Sequence, residues 1–186
     1  MRHAPPVELR PAGRQDAPAL RRMLRALIAE AGSTTAHPIT AAALAQRMSG
    51  PRPEIEGVIA ERAGEAIGMA LFFPWLSTWQ GRLYLYVQDL YVQSEERGSG
   101  LGRRLLGAVA RAGRTRGCHS LLLAVATSNA PAARFYARLG FRCLETERLW
   151  LMPRAALGAL IRAPESRPRP SRLSHRRNNR TPGLLR

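Results

Sequence analysis

Glycines at alternate positions, Gly98, Gly100 and Gly102, stand between a run rich in Tyr, Leu and Val (Leu83 to Val92) and an apolar-periodic run that opens at Arg103. No other feature constrains the fold as much, because it sets a glycine loop, Arg97-Gly98-Ser99-Gly100-Leu101-Gly102, at a strand-to-helix junction. Glycines there let successive backbone N–H groups turn inward at a helix N-terminus, where unpaired donors and the positive end of the helix dipole favour an anion such as a pyrophosphate. A plain tight turn is the competing explanation. The familiar anion loops do not fit: a dinucleotide fingerprint requires GxGxxG with an acidic residue about 20 positions on, and a Walker loop requires a lysine. Here the spacing is GxGxG, no acidic residue follows before Glu145, and the chain contains no lysine.

The 186 residues suffice for one well-buried domain and are too few for two of ordinary size. We read residues 1–6 as an N-terminal extension, 7–155 as the domain and 162–186 as an Arg/Pro-rich tail. The tail has no apolar period and cannot repay its ordering entropy by burial, so it is expected to be disordered. The net charge is +16, yet the tail holds eight arginines against Glu165, which leaves +9 for the rest. A body that is basic but not extreme suits a polyanionic cofactor as well as it suits nucleic acid. Cys118 and Cys143 are too few and too far apart for a disulfide framework, and no Cys/His cluster has zinc spacing, so a reduced, metal-free cytoplasmic protein is expected. Cys118 beside His119 could be a nucleophile and its base, but neighbours on a strand point to opposite faces. No signal core opens the chain, and the longest apolar stretch, Ala66 to Phe73, cannot span a bilayer; no membrane partner is expected.

Asp16 followed by Leu20, Met23, Leu24, Leu27 and Ile28 predicts an amphipathic helix with Asp16 as N-cap. A shorter helix is expected over Thr40 to Met48, ended by Gly50-Pro51-Arg52-Pro53. Val58 to Arg62 and Ala66 to Phe73 read as two strands joined at Gly64, and Leu83 to Val92 as a longer one. The helix after the loop carries Leu105, Leu106 and Val109, and Gly113 and Gly117 should weaken its end. Ser120 to Ala126 reads as a buried strand. Asn129 can cap a helix with Pro131 in its first turn and Gly140 past its end, and Phe141 to Leu151 can form a last strand.

Three segments in this order, Asp89-Leu90-Tyr91-Val92 leading into the loop, Asn129-Ala130-Pro131-Ala132-Ala133, and Phe135-Tyr136-Ala137-Arg138-Leu139-Gly140-Phe141, resemble the GCN5-related N-acetyltransferases over roughly residues 7 to 152. The resemblance implies an α/β fold, a twisted mixed sheet with helices on both sides, whose central strands Leu83 to Val92 and Ser120 to Ala126 splay to admit acetyl-CoA. It implies that the backbone of Arg97, Gly98, Ser99, Gly100, Leu101 and Gly102 wraps the pyrophosphate and that the edge at Leu90, Tyr91 and Val92 pairs with the pantetheine arm. Asn129 and Ala132 would meet the same arm, although Asn129 is equally well motivated as a helix cap. Tyr136 would be the acid that protonates the departing thiolate, a suitable task for a phenol of pKa about 10; the competing role is a core tyrosine.

The attacking amine must lose a proton first, since an alkyl ammonium titrates near pH ~10. Trp75-Leu76-Ser77-Thr78-Trp79-Gln80-Gly81, followed by Gln88-Asp89-Leu90-Tyr91-Val92, resembles the diamine and polyamine branch of the family, with one departure: the branch's glutamate is Gln88 here. Gln88 can hydrogen-bond an amine but cannot take its proton. Asp89 could serve as base, but as the strand neighbour of Gln88 it faces the other way unless a bulge intervenes. The loss of one carboxylate also fits an acceptor with fewer positive charges, such as an amino acid or aminoalkyl acid. Trp79 is either a wall of the acceptor pocket or a hairpin residue packed on Trp75. Glu30, Glu54 and Glu56 could supply a base through water, with surface solvation as the alternative. The expected function is N-acetylation of a small-molecule primary amine, with a possible homodimer and no nucleic-acid partner. The competing expectations are protein N-acetylation and a non-catalytic acyl-CoA-binding or nucleic-acid-binding module.

Overall fold

A computed structural model describes residues 5–33, 38–144 and 152–154. The chain divides after Arg142 into two units, and every element named below lies in the first. Its order is β1 (Val7–Ala12), a 3₁₀ turn (Arg14–Asp16), α1 (Ala17–Glu30), α2 (Ala41–Arg47), β2 (Glu56–Arg62), β3 (Glu65–Ser77), β4 (Arg82–Val92), a second 3₁₀ turn (Ser94–Glu96), α3 (Leu101–Arg114), β5 (Ser120–Leu122) and α4 (Ala130–Arg138). The sheet runs β1-β2-β3-β4-β5, antiparallel from β1 to β4, with β5 parallel to β4. It is the expected mixed α/β sheet with helices on both faces.

Period-two alternation assigns each face its helices. Val58, Ala60, Ala70, Phe72, Leu85 and Val87 bury against Leu101, Leu105, Leu106 and Val109 of α3. Ile59, Met69 and Leu71 bury against Leu20, Met23, Leu24 and Leu44 of α1 and α2. With both faces covered, the central strands are nearly continuous in apolar residues. The β2–β3 turn sits where Gly64 placed it, with Ala63 and Gly64 both at positive φ (50° and 80°), the two-residue geometry that matches strand twist.

Several boundaries differ from expectation. β1 was not anticipated; it forms an edge through register pairs such as Leu9↔Ala60 with β2, a long-range contact that local pattern does not announce. β3 continues to Ser77 rather than stopping at Phe73. β2 begins at Glu56, opposite Phe72, so among the described residues β3 is an edge strand on that side beyond Phe72 and Pro74 is tolerated there. β5 spans three residues, and Leu123 to Ala126 make no ladder with β4. α3 ends at Arg114, between Gly113 and Gly117; Gly113 is buried in its last turn, where a Cβ would come within 3.1 Å of Leu85, so the glycine also allows α3 to settle on the sheet. Phe141 to Leu144 make no strand, and the rest of the expected last strand, 145–151, lies outside the described residues, as does the tail at 162–186.

Asp16 occupies the N-cap position of α1, but its side chain makes no capping hydrogen bond to that helix. Its carboxylate accepts two hydrogen bonds from Arg10, each 2.8 Å, and one from the Gly13 N–H at 2.7 Å. Arg10 also donates to Glu61 through Nε (2.9 Å) and Nη2 (2.6 Å), tying β1 to β2 and to the entrance of α1. Asp16 is only 8% exposed, and the Arg10 guanidinium holds its carboxyl below the usual range. Arg10→Met leaves that carboxylate desolvated and should cost about 2–3 kcal/mol, read as a lower urea midpoint at pH 7. Because the folded pKa is depressed, this stabilisation is present above the unfolded carboxylate pKa and is lost as pH falls through the folded one, so wild type and variant should converge in acid.

Candidate active site

The site begins with an irregularity in β4. Register runs Leu71↔Asp89 and then Phe72↔Val87, so Gln88 is an extra residue and β4 bulges. Packing shows the result: Leu85 and Val87 face α3 before the bulge, and Leu90 and Val92 face it afterwards, which inverts the parity of the strand. Tyr91, and with it Asp89, therefore belong to the α1/α2 face. Gln88 is exposed at the bulge and Asp89 is part-buried, and desolvation pushes the Asp89 carboxyl up to about 6.

Beyond the bulge, among the described residues, one edge of β4 is free: β5 pairs only with Tyr84, Leu85 and Tyr86, leaving Val87 to Val92 without a strand on that side. The Gln93 N–H donates to the Ile67 carbonyl at 2.9 Å. Partners alternate along an antiparallel ladder, so Tyr91 turns its backbone groups to β3, and Leu90 and Val92 turn theirs to the open side. An extended ligand could add there as a further strand.

This edge runs directly into the glycine loop. Gly98 and Gly100 adopt φ of 79° and 83°, where an L side chain is strained. Gly100 is the N-cap of α3 and no side chain caps the helix, whose first turn carries no acidic residue. Arg104 N–H reaches the Gly100 carbonyl at 3.1 Å, while among the described residues no backbone carbonyl partners the N–H groups of Leu101, Gly102 and Arg103. Fourteen residues of helix dipole stand behind those donors. The loop is braced at its N-terminal side: Arg62 pairs with Glu96, Arg97 pairs with Glu30, and Ser99 Oγ donates to the Glu96 carbonyl at 2.6 Å.

Gly102 brings the last component in. A Cβ at Gly102 would lie 3.1 Å from the ring of Phe135 and 3.9 Å from Val92, so bare backbone lets α4 close on the junction of loop and strand. Asn129 does cap α4, its Oδ1 accepting from Ala132 N–H at 3.1 Å, and Gly140 terminates it at φ 92°. Tyr136 is held edge-on between Phe135 (5.1 Å between centroids) and Phe141 (5.5 Å), and burial pushes its phenol above the ordinary value. It thus stays protonated at neutral pH and available as a donor.

Other candidates are placed differently. Trp79 is 98% exposed at the tip of the β3–β4 hairpin and makes no packing contact with Trp75, which instead meets Tyr86 at 5.4 Å. Glu30, Glu54 and Glu56 are neither free bases nor merely solvated: they pair with Arg97, Arg47 and Arg116. His119 meets Arg82 (3.0 Å) rather than Cys118, whose thiol is raised by burial and so is a poor nucleophile. Among the described residues no three His, Cys, Asp or Glu side chains cluster in a way that could hold a metal, and no helix is long and apolar enough to cross a membrane. Sequence reasoning missed the engagement of Arg97 by Glu30, 67 positions away, for which sequence carries no signal.

Known proteins are similar to this chain in sequence and in fold. Thialysine N-epsilon-acetyltransferase of Bos taurus is 37% identical over 84 residues, 45% of this chain and 49% of the relative. L-methionine sulfoximine/L-methionine sulfone acetyltransferase of Pseudomonas aeruginosa is 33% identical over 84 residues, 45% of this chain and 48% of the relative. The matched segment thus spans about half the length of each relative. In three dimensions, the crystal structure of an aminoglycoside acetyltransferase from an uncultured soil metagenomic sample, in complex with sisomicin, superposes with a TM-score of 0.67 at 13% identity, covering 79% of this chain and 95% of the other, a likeness of fold. The profile of the acetyltransferase (GNAT) family matches residues 21–141, from within α1 through β4, the glycine loop and α4, and the chain belongs to that family.

Proposed function

We propose that the protein transfers the acetyl group of acetyl-CoA to the primary amine of a small, amino-acid-like molecule. The observation that carries this reading is the continuity of the free β4 edge with the uncapped glycine loop: an amide-bearing arm can pair at Leu90 and Val92 while a pyrophosphate meets the N–H groups opening α3. Asp89 is the proposed base, Tyr136 the proposed acid, and Asn129 and Ala132 line the arm's path. The amine gives its proton to Asp89 and attacks the thioester carbon. The C–S bond then breaks as the thiolate takes the Tyr136 proton; the nitrogen gives up its second proton, which returns to the Tyr136 oxygen through solvent, and Asp89 releases its own proton to solvent.

The acceptor class follows from charge. A polyamine brings further ammonium groups that need carboxylates, and Gln88 offers none. Glu30, Glu54 and Glu56 are already engaged by arginines. The relatives named for thialysine and L-methionine sulfoximine are consistent with an amino-acid acceptor. The exposed apolar tip at Trp75, Leu76 and Trp79 supports pairing with a second copy as a homodimer, and the free thiols of Cys118 and Cys143 suit a reducing cytoplasm.

Thiol release from acetyl-CoA, measured against amino acids, aminoalkyl acids, diamines and polyamines, tests the proposal. The amine-bearing acids should give the highest kcat/KM, and Gln88→Glu should raise kcat/KM for diamines by about tenfold, the effect of one partly desolvated ion pair. A wild type that prefers polyamines contradicts the assigned acceptor class.

A further inference from the structure

Arg97 opens the glycine loop, yet its guanidinium points back into the protein. Nη2 donates to both oxygens of Glu30, at 2.8 and 2.6 Å, and Nε donates to the Val92 carbonyl at 2.9 Å. The guanidinium carbon lies 5.7 Å from the centre of the Tyr91 ring. The Val92 carbonyl is one of the groups that the open edge of β4 would otherwise present, so Arg97 closes that edge at its last residue. Leu90 and the Val92 N–H remain for a ligand, and the next donors a ligand meets are those of the loop.

Glu30 is oddly placed for a surface carboxylate. It lies in the last turn of α1, where the helix dipole disfavours negative charge, and its arginine partner begins an anion-binding loop, where a carboxylate disfavours the ligand. Neither cost is offset by burial, since the side chains of Glu30 and Arg97 are 44% and 48% exposed. Two bonds to a single guanidinium nitrogen, with a third bond fixing that guanidinium to the backbone of β4, make the pair a geometric brace.

We infer that Glu30 is a positioning residue for the acetyl donor: acting through Arg97, it fixes where the β4 edge ends and the loop begins, so that one ligand engages both at once. The inference rests on the acetyl-CoA reading above. It assigns the pyrophosphate to loop N–H groups and gives the Arg97 guanidinium a structural task.

The sign of the effect decides the matter. Removing a carboxylate beside an anion site should tighten anion binding on Coulombic grounds, and shortening it at constant charge should change little. Positioning requires both changes to weaken binding. Titration calorimetry of acetyl-CoA into wild type, Glu30→Gln and Glu30→Asp should give dissociation constants about five-fold higher in both variants, the scale of a half-exposed bidentate pair. The KM for acetyl-CoA should rise with them while the acceptor KM stays put, and thermal melts should show both variants folded. Tighter or unchanged binding in either variant overturns the inference. Wild type that fails to bind acetyl-CoA overturns the donor reading itself. Wild type that binds it but acetylates no amine overturns only the catalytic reading, and the three dissociation constants still decide the role of Glu30.

Discussion

Tyr136→Phe is expected to lower kcat by about a hundredfold or more, the usual contribution of a positioned general acid, with little change in the affinity for acetyl-CoA. The substitution separates two roles. Tyr136 packs edge-on against Phe135 and Phe141, and phenylalanine keeps that packing. If packing were its whole purpose, the variant would turn over normally. Desolvation raises the phenol's pKa, which makes it a weaker acid than free tyrosine but keeps it protonated across the working pH range. A departing alkyl thiolate, with a conjugate acid of pKa about 8.5, is stabilised by such a hydrogen-bond donor as negative charge builds on sulfur. Steady-state kinetics under saturating acceptor read the difference, and full activity in the variant removes Tyr136 from the chemistry.

Asp89→Asn should cost about a hundredfold in kcat/KM and erase the acidic limb of the pH profile. Burial pushes the Asp89 carboxyl up to about 6, so the basic form predominates only above that pH and wild-type kcat/KM should climb with pH through that region. The same shift carries a stability consequence of opposite sign. A carboxyl whose folded pKa exceeds its unfolded value binds more protons when folded, so stability is lost as pH rises between the two values and the charged form is a liability at pH 7. Asparagine removes that liability, and the variant should melt higher than wild type at pH 7 while losing activity. An inactive variant that also melts lower would mean Asp89 serves the fold. An active variant that keeps the acidic limb would assign that limb to another group.

Local pattern carried much of this architecture. The apolar stripe of α1, the Gly64 turn, the Asn129 cap with Pro131 and Gly140, and the glycine loop all depend on residues near one another in sequence, and each lies where those residues place it. Features made by distant partners were less legible. β1 is six residues with a proline, recognisable only once β2 is beside it. The carboxylate of Asp16 is diverted from capping because Arg10 offers a stronger, charged donor. The bulge at Gln88 did leave a trace, since the core-facing residues change parity between Val87 and Leu90, but a run this apolar hides the change until the faces are assigned. That bulge sets Asp89 on the α1/α2 face, which the residue types alone left open.

The central claim is that the free β4 edge, the glycine loop and α4 together move an acetyl group from CoA to an amine. The most direct measurement is to incubate the full chain with acetyl-CoA labelled in the acetyl group and a mixture of amino acids, diamines and polyamines, and to follow the label by mass spectrometry. The account predicts label on the amine nitrogen of an amino-acid-like acceptor, matched one for one by free CoA thiol. Label that stays on CoA, or emerges only as free acetate, would contradict it.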